Sequence, residues 1–187
     1  MKRRRAILFA ILFIVAGCAL YLWREAERGR RFLPQIRAAG KRYGVDPLLI
    51  KAVVWQESRF DPDVLGRKGE IGLMQLQEVA AQEWADFEKL GLIDARHCLD
   101  PATNTLAGAY YLGKLLKRYA QTDDPVPYAL ADYNAGRSNL LKWNSGSAAT
   151  NSQQFVAQIG FPGTQNYVKS VMRRYAMYRF LARLGWT

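Results

Sequence analysis

The sequence predicts a mainly α single domain that is preceded by one separate, apolar N-terminal helix. Beyond residue 32, apolar residues recur at helical spacing in one segment after another. Aspartate–proline pairs and single glycines separate these segments, as they do at the starts and ends of helices. No stretch alternates in the manner of a long strand, although residues 66–72 are compatible with a small hairpin. Half of the 187 residues are hydrophobic, which is enough for one core in the part that follows the N-terminal segment.

Residues 1–31 are predicted to be a signal or membrane anchor, and residues 32–187 the folded domain. A basic start is followed by residues 6–23, an uncharged and mostly apolar run just long enough to cross a bilayer as a helix. Since apolar residues continue through position 22, an uncleaved signal anchor is the favoured interpretation.

Two other kinds of processing stay open for this segment. Residues 15–18 (Val-Ala-Gly-Cys) resemble a bacterial lipobox, in which Cys18 would be the lipidated residue after cleavage. A cleaved signal peptide is the third alternative. Each of the three places the domain outside the cytoplasm.

The domain is predicted to consist of consecutive helices joined by short turns and one longer loop. Asp46 and Asp100 each precede a proline and are predicted N-caps. Residues 144–152 are small and polar, and they predict a loop of low order. The predicted helices cover residues 34–43, 47–57, 75–90, 101–119, 127–135, 138–143 and 164–184, with turns at 122–125 and 162–163.

Charge is unevenly distributed along the chain. Of the formal net charge of +11, residues 1–31 carry +6 and the remaining residues carry +5. A mildly basic domain fits an anionic polymer or a membrane surface, but no nucleic-acid motif or phosphate-binding loop accompanies the charge. We therefore expect no nucleic-acid partner.

Cysteine and histidine usage excludes several kinds of site. Cys18 and Cys98 are not expected to pair, so no disulfide framework is predicted. His97 is the only histidine, and no nucleophile elbow accompanies it. A local structural role is expected for His97 and Cys98, and no metal site is predicted.

The stretch from residue 52 to residue 75 is the strongest candidate for chemistry. It places one carboxylate, Glu57, at the end of an apolar helix and in front of a glycine-punctuated loop. Apolar surroundings raise the pKa of a carboxyl group, as a general acid requires. The residues alone are equally compatible with a surface glutamate near a helix end.

Three further segments combine polar and apolar groups at predicted helix ends. Residues 72–75 are Gly-Leu-Met-Gln, residues 131–136 are Ala-Asp-Tyr-Asn-Ala-Gly, and Tyr167 lies near the start of the last helix. Ordinary core packing is the alternative explanation for each segment taken alone.

Taken together and in this order, these segments resemble the lytic transglycosylase family with a soluble-lytic-transglycosylase (SLT, goose-lysozyme-like) catalytic domain. Residues 57–62 (Glu-Ser-Arg-Phe-Asp-Pro) resemble its first motif, and residues 72–75 its second. Residues 131–136 resemble the third motif, and residues 167–168 (Tyr-Val) the last. The similarity extends from residue 34 to residue 184, and the order and spacing of four motifs make it specific.

The resemblance implies a lysozyme-like fold and cleavage of the β-1,4 bond between N-acetylmuramic acid and N-acetylglucosamine in peptidoglycan. Glu57 would protonate the leaving oxygen, and the muramoyl N-acetyl group would assist at the anomeric carbon. Glu57 would then take a proton from the C6 hydroxyl, which closes a 1,6-anhydro ring without water. No metal or cofactor is needed. The residues that the resemblance assigns to substrate contact are Ser58, Met74, Gln75, Tyr133, Asn134 and Tyr167.

The sequence departs from the family pattern at two places. Gly66 stands where many members have a serine, and Ser58 or backbone amides are expected to replace that hydroxyl. Residues 163–165 (Gly-Thr-Gln) stand where members often have Glu-Thr-Arg. Glu70, the additional acid of the loop, is expected to be solvated or paired with Arg67 or Lys68.

Two alternative functions remain open on the sequence. One is a hydrolytic muramidase on the same fold, with Glu70 or another acid activating water. The other is an inactive domain that binds glycan strands within an envelope assembly.

Overall fold

The computed structural model describes residues 2–185 of the chain, and it confirms the predicted mainly α, lysozyme-like architecture. Within these residues the helices follow one another without a named strand, and only isolated bridges join residue 71 to residues 65 and 76. The α-helices are α1 (Lys2–Arg31), α2 (Leu33–Tyr43), α3 (Pro47–Ser58), α4 (Glu78–Glu88), α5 (Ala95–Leu99), α6 (Pro101–Arg118), α7 (Pro125–Ala135), α8 (Arg137–Trp143), α9 (Ser152–Gln158) and α10 (Pro162–Arg183), and a 3-10 turn covers Gly146–Ala149.

Helices α6 and α7 form the centre of the domain. Helix α6 packs against α2, α4 and α7, whereas α10 packs against both α7 and α3. Leu112 of α6 and Leu130 of α7 are completely buried in the single main core. Because α3 and α7 are both held by α10, the ends of these three helices meet on one side of the core.

Aspartate caps followed by a proline begin three of the helices, and the sequence predicts two of them. Asp46 Oδ1 accepts from the Leu48 amide at 2.8 Å, and Asp100 Oδ2 accepts from the Thr103 amide at 2.8 Å. Asp124 caps α7 in the same way, and a proline follows each of the three caps. A cap of this kind stabilises a helix by about 1 kcal/mol.

The predicted start of the fourth helix is wrong by three residues. Helix α4 begins at Glu78 rather than residue 75, because Gln75 adopts a left-handed backbone with φ 46° and belongs to a turn. The helix also ends earlier than predicted, since Lys89 rather than Gly91 takes the left-handed position after its last residue.

The low order predicted for residues 144–152 is also wrong. This stretch contains the 3-10 turn, whose buried Ala148 carbonyl accepts from the Tyr128 hydroxyl at 2.8 Å. The next helix, α9, was not predicted, and its buried Phe155 stacks on Tyr128 with ring centroids 4.1 Å apart. The predicted turn at 162–163 is the first turn of α10.

The N-terminal segment forms one helix that continues to the domain. Its stretch Phe9–Arg31 is long and apolar enough to cross a membrane by length and composition. The described apolar side chains of the predicted span are exposed, and so is Cys18. The last two turns differ, because Gly29 is buried against the ring of Phe60. The boundary at residue 31 coincides with the end of α1 and stays a prediction as a domain division.

Candidate active site

Glu57 lies in the last turn of α3, where the helix is stopped abruptly. Arg59 and Phe60 both have left-handed backbones, with φ of 53° and 61°, and these turn the chain away from the helix axis. The Ser58 hydroxyl is hydrogen-bonded to the carbonyl of Val54 at 3.1 Å and to that of Leu73 at 2.9 Å. Ser58 therefore ties the end of α3 to the following loop.

The carboxyl group of Glu57 has an environment that favours its protonated form. Partial burial raises its pKa from 4.5 to about 7, and the nearby negative charge of Glu70 acts in the same direction. The Tyr167 hydroxyl donates to Glu57 Oε1 at 2.6 Å, which opposes part of this increase. Glu57 is thus poised to exchange a proton near neutral pH.

The two tyrosines beside Glu57 remain neutral hydrogen-bond donors. Burial and the Glu57 charge raise the pKa values of Tyr133 and Tyr167 well above 10. Tyr167 reaches Glu57 from α10, whereas Tyr133 donates from α7 to the Met74 carbonyl at 2.8 Å. Both hydroxyls hold fixed positions on the wall of the site.

Asn104 organises the loop that faces Glu57. This fully buried side chain accepts from the Met74 amide at 2.8 Å and donates to the carbonyls of Ile71 at 2.8 Å and Cys98 at 2.7 Å. Gly72 fits beside it because any Cβ there would lie 2.6 Å from Asn104 Nδ2. Sequence reasoning gave Asn104 no role, although a lone amide within the apolar stripe of α6 is a recognisable sign of a buried hydrogen-bond hub.

The side chain of Gln75 stabilises the same loop through hydrogen bonds. Its side-chain amide donates to the carbonyls of Val64 and Gly72, each at 2.9 Å. Gln75 also lines the cavity around Glu57. The predicted position of Gln75 in the cleft agrees with this geometry.

Two of the predicted contacts with substrate do not agree with the structure. The Ser58 hydroxyl is buried and already has two carbonyl partners, so it is not available to a ligand. Met74 is completely buried, and a Cβ at Gly108 would lie 2.3 Å from its sulfur. Met74 instead packs against α6 and offers only its backbone to the site.

Asn134 is an exposed residue of the third motif. Its Oδ1 accepts from the Thr164 hydroxyl at 2.8 Å, which joins the end of α7 to the start of α10. Gln165, where relatives often have arginine, donates to the Val156 carbonyl at 2.9 Å. Gly163 lines the cleft with open space around it, so the charge that many members have there is replaced by free volume.

The cleft consists of two cavities that share part of their lining. The smaller, about 340 Å³, is lined by Glu57, Gln75 and Tyr133, and the larger, about 830 Å³, by Tyr167 and several cations. The two cavities share Lys68, Glu70, Asn134 and Ala135. Their size and polar lining suit a chain of polar rings better than a small apolar ligand.

His97 and Cys98 lie apart from this cleft and have structural environments. His97 Nδ1 lies 2.8 Å from Asp94 Oδ1, within a capping box at the start of α5. Cys98 is buried, and burial raises the pKa of its thiol.

The family model for the transglycosylase SLT domain matches residues 34–156 of the sequence, which include Glu57 and the second and third motifs. The chain belongs to the transglycosylase SLT domain family. This confirms the resemblance on which the sequence analysis relied.

Similar proteins extend this family assignment. The SLT domain is 41% identical over 113 residues to membrane-bound lytic murein transglycosylase F of Desulfosudis oleivorans, covering 59% of this chain and 23% of that protein. It is 34% identical over 122 residues to membrane-bound lytic murein transglycosylase C of Klebsiella pneumoniae, covering 62% of this chain and 34% of the other. An inactive mutant of lytic transglycosylase Slt from Pseudomonas aeruginosa superposes with a TM-score of 0.72 at 25% identity, over 82% of this chain and 24% of that one. The chain thus spans about a quarter to a third of the length of these relatives.

Proposed function

We propose that this protein is a peptidoglycan lytic transglycosylase that cleaves the β-1,4 bond between N-acetylmuramic acid and N-acetylglucosamine. The observation that carries the proposal is the carboxyl group of Glu57, which has a pKa raised to about 7 and a fixed tyrosine partner in a polar cleft. Membership of the SLT family and the names of the two relatives support the same substrate class.

In the first step, protonated Glu57 donates its proton to the glycosidic oxygen as the bond to the anomeric carbon breaks. The oxygen of the muramoyl N-acetyl group attacks the anomeric carbon and takes the place of a protein nucleophile. The hydrogen bond from Tyr167 to Oε1 orients the carboxyl group, so that its other oxygen can carry the proton. An ordinary glycosidase requires a second carboxylate for this stage, whereas the substrate supplies the nucleophile here.

In the second step, ionised Glu57 accepts the proton of the muramoyl C6 hydroxyl. The C6 oxygen attacks the anomeric carbon, the bond to the N-acetyl oxygen breaks, and a 1,6-anhydro ring forms. Water is not consumed. A pKa near 7 suits a group that acts first as an acid and then as a base, because neither protonation state is strongly disfavoured at neutral pH.

The lining of the larger cavity suits an anionic polymer. Arg59, Lys68 and Arg173 contribute three positive charges to it, against the one negative charge of Glu70. Tyr133 and Asn134 lie at the end of α7 and line the smaller cavity, and in this proposal they would contact a sugar ring.

Digestion of purified peptidoglycan by the wild type and by Glu57→Gln tests this proposal. Mass spectrometry is expected to find anhydro-ended muropeptides, one water lighter than hydrolysed products, with the wild type but not with Glu57→Gln. Glu78→Gln is the matched control, since Glu78 is an exposed glutamate in the first turn of α4. Unchanged cleavage by Glu57→Gln would refute the catalytic assignment.

A hydrolytic muramidase is the second candidate, because Glu70 lines the same cavity as Glu57. In that case Glu70 would activate a water molecule, and the products would end in reducing N-acetylmuramic acid. The same mass spectra separate the two reactions.

We also propose that α1 attaches the enzyme to a membrane, with the domain in the cell envelope outside the cytoplasm. The exposed apolar side chains of α1 and the names of the membrane-bound relatives support this location. The intact mass of the mature protein distinguishes an uncleaved anchor, a lipid on Cys18 and a cleaved signal peptide.

A further inference from the structure

Glu70 lies in the loop between α3 and α4 and folds back onto that loop. The Gly66 amide donates to the Glu70 carbonyl at 2.7 Å, and the Lys68 amide donates to Glu70 Oε2 at 2.9 Å. Among the described residues, the Glu70 carboxylate forms no ion pair with Arg67 or Lys68. The expected ion pair is therefore not formed, and Glu70 is instead partly exposed and held by backbone contacts.

Gly66 provides the space that the Glu70 side chain occupies. A Cβ at position 66 would lie 2.3 Å from Glu70 Oε2, 2.8 Å from Glu70 Cβ and 2.8 Å from Gln75 Oε1. The backbone of Gly66 is not in the left-handed region, so a side chain there would be opposed by lack of space rather than by backbone strain, and it would have to displace the Glu70 carboxylate. The position of the Glu70 carboxylate therefore depends on the absence of a side chain at position 66.

The Glu70 carboxylate borders both cavities of the cleft, and Glu57 lines one of them. Asp132 is the other acid in this lining, but it is 1% exposed and bonded to Arg118 at 2.8 Å and to Tyr119 at 2.7 Å. Glu70 is therefore the acid whose charge is directed to the cleft. The other titratable groups around Glu57 are Tyr167 from α10, Tyr133 from α7, Tyr111 from α6 and Lys68 from the loop.

We propose that Glu70 is a positioning residue of the transglycosylation reaction, whose negative charge keeps the proton on Glu57 until the glycosidic oxygen accepts it. The inference rests on the proposed function. A like charge in the same partly desolvated cavity disfavours ionised Glu57, and this adds to the effect of burial. After the first step, the same charge makes ionised Glu57 a stronger base toward the C6 hydroxyl. One fixed carboxylate therefore assists both halves of the reaction without touching the substrate.

The test replaces Glu70 by glutamine, which keeps the volume and an oxygen acceptor for the Lys68 amide but removes the charge. We expect the alkaline limb of the kcat/KM profile to move about half a pH unit lower. At pH values above the wild-type limb, this shift corresponds to about a threefold loss of kcat/KM. Activity at pH 5 and KM are expected to stay near the wild-type values. Asp63→Asn is the matched control, because Asp63 is an exposed acid of the same loop outside both cavity linings.

Two further measurements keep the inference falsifiable. An NMR titration of the Glu57 carboxyl carbon is expected to show the same downward shift in Glu70→Gln, whether or not the protein cleaves glycan. Gly66→Ala, which displaces the carboxylate, is expected to shift the profile in the same direction.

An unchanged titration of Glu57 in Glu70→Gln would overturn the inference. An equal loss of activity at every pH would also overturn it, because that result indicates a substrate contact. Absence of anhydro products from the wild type would instead refute the proposed function.

Discussion

The contact between Glu25 and the end of α3 predicts that the N-terminal helix is fixed to the domain rather than flexibly tethered. Trp55 Nε1 donates to Glu25 Oε1 at 2.8 Å, and Arg174 donates to the same oxygen at 2.9 Å. The side chains of Arg174 and Glu25 are only 20% and 15% exposed. The guanidinium groups of Arg59 and Arg174 lie 3.3 and 3.4 Å from the centroid of the Trp55 ring.

Glu25→Ala removes both hydrogen bonds and leaves the Trp55 N–H and the Arg174 charge without their acceptor. A hydrogen bond to a charged group contributes about 1.5–3 kcal/mol. Water can partly replace the lost acceptor at this depth, so the expected loss of stability is about 2–4 kcal/mol. For a chain of this size, this corresponds to a decrease of about 4–15 °C in melting temperature.

Thermal unfolding of the full chain in detergent micelles, followed by near-ultraviolet circular dichroism, measures this effect. Glu27→Ala is the matched control, because among the described residues Glu27 pairs only with exposed Arg30 on the same helix and is expected to contribute less than about 0.5 kcal/mol. In a Trp55→Phe background, the effect of Glu25→Ala should be smaller, since one of the two partners is already missing. Equal melting temperatures for Glu25→Ala and Glu27→Ala would refute the docked helix.

Two further predictions concern the site. Glu57→Gln should stabilise the protein above pH 7 by up to about 3 kcal/mol, because the folded-state pKa of about 7 exceeds the unfolded value of 4.5. In the wild type, the preference of the folded state for protonated Glu57 contributes fully to stability below pH 4.5. This contribution is lost as the pH rises through 7. Urea unfolding at pH 4 and pH 8 checks the sign, and a pH-independent difference would contradict it. Asn104→Ala should cost about 3–5 kcal/mol, since it removes the partner of the buried Met74 amide, the Asn104 donor to the buried Cys98 carbonyl and one of the two donors to the Ile71 carbonyl. Urea unfolding against Gln121→Ala, an exposed control, measures this, and a loss below about 1 kcal/mol would contradict the hub role.

The attachment of α1 to the domain through Glu25 also has a consequence for function. Glu25 lies two residues beyond the predicted membrane span, and Trp55 lies two residues before Glu57. If α1 crosses a membrane as proposed, the cleft is held at a fixed height above the bilayer surface. Glu25 remains in the mature chain in both the uncleaved and the Cys18-lipidated form.

The sequence predicted those elements whose ends depend on nearby residues. Asp46 and Asp100 cap helices through contacts two or three residues away, so their positions can be recognised without the fold. The helix predicted from residue 75 failed, because Gln75 is held in a turn by the carbonyl of Val64, eleven residues earlier. Order in residues 144–152 was missed for the same reason, since it depends on the distant Tyr128.

The sequence alone predicted Glu57 as the acid of the site, because the order and spacing of the motifs resemble those of the family. The tertiary structure decided what surrounds this acid. Tyr167 is 110 residues away along the chain, and only the packing of α10 against α3 brings its hydroxyl to Glu57. The Ser58 side chain points away from the cleft and the Glu70 side chain points toward it. Both directions depend on tertiary packing, which the spacing of residues in the sequence does not reveal. A pKa is set by burial and by neighbouring charges in space, so the candidate acid could be predicted from the sequence, but its proton affinity required the fold.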